Sequence, residues 1–315
     1  MAELAKLGHI AFETPDLEES LWFFRDLMGM KVVERDDDTA YLCALRDYEH
    51  HTMSLTEGER GAIDHVGLRA ADPESVEEYA EILEEKGYDV WWTEDGHEAG
   101  IGDSIMFETE ADHRFEIYYE MEKPDIDGKQ RSNIPMRRYS PEFANRVYPQ
   151  RIDHAHVQDD TPEATSELFE EEFGMGLNEV FKSADGTIWG WWHATTPLPH
   201  DLAVHRLEEG EETEFHHIAY HLDHLQDLWD AADILAENNV EIDGGPGKHA
   251  ITNANYLYVK DPASGIRLEL FAGPGYLNFE PDWETVVWQE NIGSEDDHQW
   301  FGTQYSLEGV PYTDR

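Results

Sequence analysis

Hydrophobic and polar positions along this chain repeat one figure four times. A short apolar strand containing His leads into a polar turn, then into a segment with apolar residues at helical spacing. The copies are "LGHIAFETPDLEESLWFFRDLMGM" from Leu7, "IDHVGLRAADPESVEEYAEILEEKGY" from Ile63, "IDHAHVQDDTPEATSELFEEEFGM" from Ile152 and "FHHIAYHLDHLQDLWDAADILAENNV" from Phe215. The spacings sort them into two kinds. His9 to Gly29 and His154 to Gly174 are both 20 residues, whereas His65 to Gly87 and His217 to Asn239 are both 22. The order is therefore A-B-A-B, one duplication nested inside another.

Short β segments such as "TAYLCAL" and "TIWGWWHA" follow the helices, and each half closes on a similar strand, "HRFEIYYE" at 113–120 and "IRLELFAG" at 266–273. These units predict βαβββ modules, paired so that their strands curl around a central cavity. The fold class is α+β with two similar domains. The predicted boundaries are 1–123 for the first pair of modules, 124–146 for a linker, 147–276 for the second pair and 277–315 for a C-terminal extension.

Superposing the copies selects particular side chains. His9, His65, His154 and His217 coincide, while His216 falls on Asp64 and Asp153, one step earlier. Successive strand residues point to opposite faces, so of the adjacent pair only His217 is expected to look inward, with His154 as its partner. His156, two residues after His154, shares its face. In "IRLELF", Leu268 and Leu270 are expected on the core side, and Arg267 and Glu269 on the opposite, cavity-lining face. Glu269 lies 52 residues after His217, and Glu116 lies 51 after His65. Two neutral imidazoles and a carboxylate on separate strands occupy one face of an octahedral ion and leave three positions open, an arrangement that suits Fe(II) in oxygen chemistry. The first half carries His9, His65 and Glu116 at the matching positions, which raises the question of a second metal.

Charge changes the picture of the surface. Lys and Arg number 22 and Asp and Glu 70, for a net charge of −48. Such a surface repels nucleic-acid phosphates and anionic lipids. The acids are spread through periodic, folded segments rather than gathered in a tail, which points to a salt-rich host cytoplasm. A single cysteine, Cys43, excludes an intrachain disulfide and a thiolate metal cage. No apolar run is long enough to span a bilayer and no signal sequence opens the chain, so a cytoplasmic location is expected.

The segments "RIDHAHVQDDTPEAT", "PHDLAVH", "FHHIAYHL" and "GGPGKHAITNANYLYVKDPASGIRLELF" together resemble the extradiol ring-cleaving dioxygenases of the vicinal oxygen chelate superfamily, above all the catechol 2,3-dioxygenases. The likeness covers nearly the whole chain. Its most specific stretch is Gly245 to Glu269, with Ser264 where the family commonly has Gly or Pro. The resemblance implies Fe(II), or Mn(II), at His154, His217 and Glu269, with O2 as co-substrate. It implies His200 as a distal acid–base group, His249 as a contact to one catecholate oxygen and Tyr258 as the residue beside the other. It also implies catalysis in the C-terminal half, the extension near that site, a small-molecule catechol as substrate and a homotetramer. In the first half His51 and His97 fall near the positions of His200 and His249, but Met106 and Phe107 stand where Tyr258 would map.

Two other function classes stand against this one. A non-catalytic binding protein of the same fold has no need of the triad. An isomerase or lyase of the glyoxalase kind usually carries more than one acidic ligand. Relatives acting on a carboxylated catechol, such as 3,4-dihydroxyphenylacetate, usually place arginines near the C-terminal end. Here that region reads "NIGSEDDHQWFG" at 291–302 and has no Arg. The expected substrate is an uncharged catechol, opened to a 2-hydroxymuconic semialdehyde type of product.

Overall fold

The computed structural model describes residues 2–123, 146–208, 210–273, 275–289, 299–303 and 307–313. The expected linker at 124–146 therefore lies almost wholly outside the described residues, as does most of "NIGSEDDHQWFG". The alternating strands build two sheets. The first has eight strands: β1 (Leu4–Thr14), β2 (Lys31–Arg35), β3 (Thr39–Cys43), β4 (Met53–Glu57), β5 (Ala62–Ala70), β6 (Val90–Thr93), β7 (Ser104–Glu108) and β8 (Arg114–Tyr118). The second has ten: β9 (Arg151–Asp159), β10 (Gly176–Lys182), β11 (Ile188–Ala194), β12 (Leu202–Arg206), β13 (Glu214–Leu222), β14 (Ile242–His249), β15 (Asn255–Lys260), β16 (Arg267–Ala272), β17 (Val286–Gln289) and β18 (Gln299–Phe301).

The sheet orders carry the duplication. The first runs β2-β3-β4-β1-β5-β8-β7-β6 and the second β17-β10-β11-β12-β9-β13-β16-β15-β14-β18. Without its two edge strands from the C-terminal extension, the second order is the first repeated. In each sheet the leading strands of the two modules, β1 with β5 and β9 with β13, pair antiparallel at the centre.

Each leading strand is followed by a helix, as the periodicity predicts. These are α1 (Leu17–Leu21), α2 (Pro73–Lys86), α3 (Pro162–Glu167) and α4 (Leu225–Glu237). Asp16 and Asp72 accept hydrogen bonds from the backbone N–H groups of Glu19 (3.0 Å) and Ser75 (2.8 Å), satisfying donors that the helix itself cannot. Gly87, at φ +93°, closes α2 in the left-handed conformation that a Cβ disfavours. The two A-type helices differ from the expected regular form: α1 and α3 continue as π-turns over Trp22–Leu27 and Leu168–Glu172. The wider turns end on i→i+5 bonds, from Met28 N–H to Phe23 and from Phe173 N–H to Leu168.

Those turns bury aromatic rings that knit the halves together. Phe169 lies 5.5 Å from Phe115, and Phe173 lies 5.3 Å from Tyr79 and 5.8 Å from Phe107, so rings from the second half pack on the first sheet and its helix. Phe12 meets Phe215 at 5.5 Å. One apolar cluster runs through both halves. The C-terminal segment adds a second tie. Val310 and Phe215 exchange backbone hydrogen bonds at 2.8 and 2.9 Å, and Ile63 receives one from Thr313 and gives one to Pro311. No helix among the described residues is long and apolar enough to cross a membrane.

Candidate metal centre

Three neighbouring strands, β9, β13 and β16, each bring one candidate ligand to the same point. Nε2 of His154 lies 3.0 Å from Oε2 of Glu269, Nε2 of His217 lies 3.1 Å from that oxygen, and the two nitrogens are 3.2 Å apart. All three residues are buried. A divalent ion bonded at about 2.0–2.2 Å to cis donors sets them about 3 Å apart along the octahedral edge, √2 times the bond length. The observed triangle fits that face. Burial alone would strip the proton from either imidazole. At His154 the Asp153 and Glu269 carboxylates outweigh it and raise the pKa to about 9, while at His217 burial prevails and takes it down to about 4. Burial likewise pushes Glu269 up, but the two imidazoles beside it hold it well below the usual carboxylate range. A metal that displaces the His154 proton would meet one anionic oxygen and two imidazole nitrogens, the donors that Fe(II) and Mn(II) share.

The residues placed around the triad by resemblance lie within reach of it. His200, just before β12, sets its ring 4.0 Å from that of His154, centroid to centroid, and its buried Nδ1 has no hydrogen-bond partner among the described residues. Burial and the neighbouring His154 push its pKa well down, so the ring sits neutral. Asp201 fixes the loop that carries it, accepting from the backbone N–H groups of Thr195 and Thr196, both at 2.8 Å. His249 ends β14, with Nε2 3.1 Å from the Tyr258 hydroxyl and 3.8 Å from Oε1 of Glu269. Tyr258 stands opposite Glu269 in the β15–β16 register, and its ring is 5.3 Å from that of His217. The extension reaches this edge, since β18 pairs His249 with Gln299.

The structure differs from strand alternation at the adjacent histidines. The β9–β13 ladder slips between Phe215 and His217, and this irregularity lets the rings of His216 and His217 meet, Nδ1 to Nδ1, at 2.5 Å. His216 is therefore not turned away from its neighbour. It walls a small cavity of about 30 Å³ together with His156, His205 and Trp192, so His156 also lies outside the three-residue cluster. Asp153 was expected on the far face too, yet its Oδ1 lies 3.0 Å from Nδ1 of His154, where it fixes which nitrogen faces inward. The adjacent Asp-His letters, present again at Asp64-His65, were the available signal for this support. Asp201 and the Tyr256 ring, stacked 4.0 Å from His249, carry no signal separable from ordinary loop and strand residues.

Residues 6–117 and 151–270 match the Glyoxalase/Bleomycin resistance protein/Dioxygenase superfamily. The chain is 45% identical over 291 residues to a manganese-dependent 2,3-dihydroxybiphenyl 1,2-dioxygenase of Geobacillus genomosp. 3, covering 92% of this chain and 91% of that one. It is 33% identical to a metapyrocatechase of Geobacillus stearothermophilus, over 99% of this chain and 95% of that protein. The homoprotocatechuate 2,3-dioxygenase of Arthrobacter globiformis superposes with a TM-score of 0.85 at 26% identity, covering 99% of this chain and 93% of that one. The chain belongs to the Glyoxalase/Bleomycin resistance protein/Dioxygenase superfamily, among its extradiol ring-cleaving dioxygenases.

Proposed function

We propose that this protein opens an uncharged catechol beside its diol, using O2 and a divalent metal, Fe(II) or Mn(II), held by His154, His217 and Glu269. The observation that carries the reading is the triangle of three buried donor atoms at 3.0, 3.1 and 3.2 Å, flanked by His200, His249 and Tyr258. Both oxygen atoms of O2 enter the product, so catechol gives a 2-hydroxymuconic semialdehyde and no external reductant is consumed. When bound, the metal supplies chelation of the two catechol oxygens and a place for dioxygen beside them.

The chain's own residues then divide the remaining work. Tyr258 and His249 orient the two substrate oxygens and hold hydrogen bonds to them. His200, neutral and with a buried nitrogen that no described residue engages, takes up and returns one proton during oxygen insertion. Packing around the site excludes bulk water. The preference for an uncharged ring rests on the sequence of the extension, whose acidic "SEDD" would repel a carboxylated substituent. A second reading, a bulkier aryl catechol, is favoured by the 45% identical relative named for 2,3-dihydroxybiphenyl. The acidic composition supports a salt-rich cytoplasm as the setting, and resemblance supports a homotetramer.

The test is an aerobic assay of metal-loaded protein in molar salt with catechol, 2,3-dihydroxybiphenyl and 3,4-dihydroxyphenylacetate, following the yellow ring-fission product and O2 uptake. Catechol is expected to give the highest kcat/KM and the carboxylated ring the lowest. A highest value for 2,3-dihydroxybiphenyl would replace the first reading with the second, and no product from any of them would remove the assignment.

A further inference from the structure

The first half holds a second convergence of donors that the ring-cleavage reading does not use. His9 on β1, His65 on β5 and Glu116 on β8 occupy the registers of His154, His217 and Glu269. To them the structure adds Glu98, from the loop between β6 and β7. Nε2 of His9 lies 3.0 Å from Nε2 of His65, 3.2 Å from Oε2 of Glu116 and 3.4 Å from Oε2 of Glu98. Nε2 of His65 lies 3.4 Å from the same Glu98 oxygen and 3.5 Å from that of Glu116. Relative exposures are 0%, 4%, 7% and 0% for His9, His65, Glu98 and Glu116.

The groups around this cluster aim it inward. His51 engages the outer oxygen of Glu98 at 3.0 Å. His97 at 2.8 Å and the Ser104 hydroxyl at 2.5 Å engage the outer oxygen of Glu116. Asp64 holds Nδ1 of His65 at 2.7 Å, as Asp153 holds that of His154. Carboxylate and hydrogen-bonded imidazole support of this kind orients ligands and fixes the tautomer. The inner Oε2 of Glu116 is buried and faces the imidazole nitrogens of His9 and His65 at 3.2 and 3.5 Å.

We propose that His9, His65, Glu98 and Glu116 form a closed, four-ligand site for a divalent cation of the Zn2+ class, distinct from the triad of the second half. The donor spacings fit a tetrahedron. Bonds of about 2.0–2.1 Å give donor separations of about 3.3–3.4 Å, 1.63 times the bond length, against the 3.0–3.5 Å measured along five of the six edges. Two carboxylates neutralise a dication without leaving net charge in the interior. Four protein ligands leave no position for substrate, and Met106 stands opposite Glu116 where Tyr258 stands opposite Glu269. The site's work is structural: it ties β1, β5 and β8 to the loop that carries Glu98.

The test counts and locates the ion. Full-length protein is stripped with chelator, reloaded with Zn2+ alone, desalted in molar NaCl to shed surface ions, and assayed by plasma mass spectrometry. Anomalous X-ray scattering at the zinc edge then gives positions. Two equivalents per chain are expected, one peak among His9, His65, Glu98 and Glu116 and one at the triad. Glu98→Gln should keep only the triad peak and Glu269→Gln only the first. A single equivalent that Glu269→Gln abolishes would overturn the proposal, as would two equivalents with no peak at the first cluster. Should Glu98→Gln not fold, the zinc retained by Glu269→Gln decides alone: one equivalent supports the site and none refutes it. A triad that fails to bind would leave the first peak in place, so the two readings fail separately.

Discussion

In the proposed reaction His200 is the residue at which proton handling can be tested apart from metal binding. Its ring rests on His154, yet it takes no part in the three-donor triangle. His200→Phe is expected to keep its metal while ring cleavage of catechol slows by about 10²–10⁴-fold. 4-Nitrocatechol, already acidic, should show a smaller loss. Single-turnover rates with both substrates, read beside metal content, check this, and a variant without metal would make His200 a ligand. Asp153→Asn should weaken metal retention by about 10–100-fold through the orientation of His154, measured by competition with a chelator. His154, His217 and Glu269 were legible because each recurs at the same step of a repeat. Glu98 was not, because Ala250 follows His249 where Glu98 follows His97, and a residue without a counterpart cannot be found by superposing copies.

Among the elements, strand order followed from the repeat, whereas local departures from regularity did not. The irregularity at His216 and the π-turns after α1 and α3 leave no mark on a period-2 or 3.6 pattern. The buried ionic contacts between strands were equally silent. Glu49, before β4, meets Lys6 of β1 at 3.1 Å and Arg69 of β5 at 2.8 Å, and the Tyr118 hydroxyl donates to it at 2.5 Å. Burial is the largest influence and pushes its pKa up, but the two cations and the hydroxyl together bring it from 4.5 to about 2. A carboxylate with a depressed folded value stabilises above its unfolded pKa, and that contribution fades as pH falls through about 4.5 towards about 2. Glu49→Gln should therefore cost on the order of 3 kcal/mol at pH 7. The gap to the parent protein should narrow steadily below about pH 4.5. Denaturant midpoints of both proteins across that range provide the measurement.

At the scale of the whole molecule, 70 acidic against 22 basic residues make self-repulsion the dominant long-range term. Its range falls from about 10 Å at 0.1 M salt to about 3 Å at 1 M, so the thermal midpoint should rise steeply between those conditions. Calorimetry that showed no rise would remove the inference of a salt-rich host. The doubled architecture could be read from the sequence, but the seam between its halves could not, since nothing in the apolar spacing of "LFEEEF" says which sheet Phe169 and Phe173 will face. Those rings and the Ile63–Tyr312 bridge couple the two halves. Duplicated genes are often treated as interchangeable parts, and this seam argues otherwise. A chimera taking one half from a distant relative would inherit aromatic rings without their sockets and a C-terminal segment without its landing strand. Its two halves would be expected to mature poorly even if each were sound in its parent, which makes co-inheritance of both halves, rather than shuffling, the route by which such a chain diversifies.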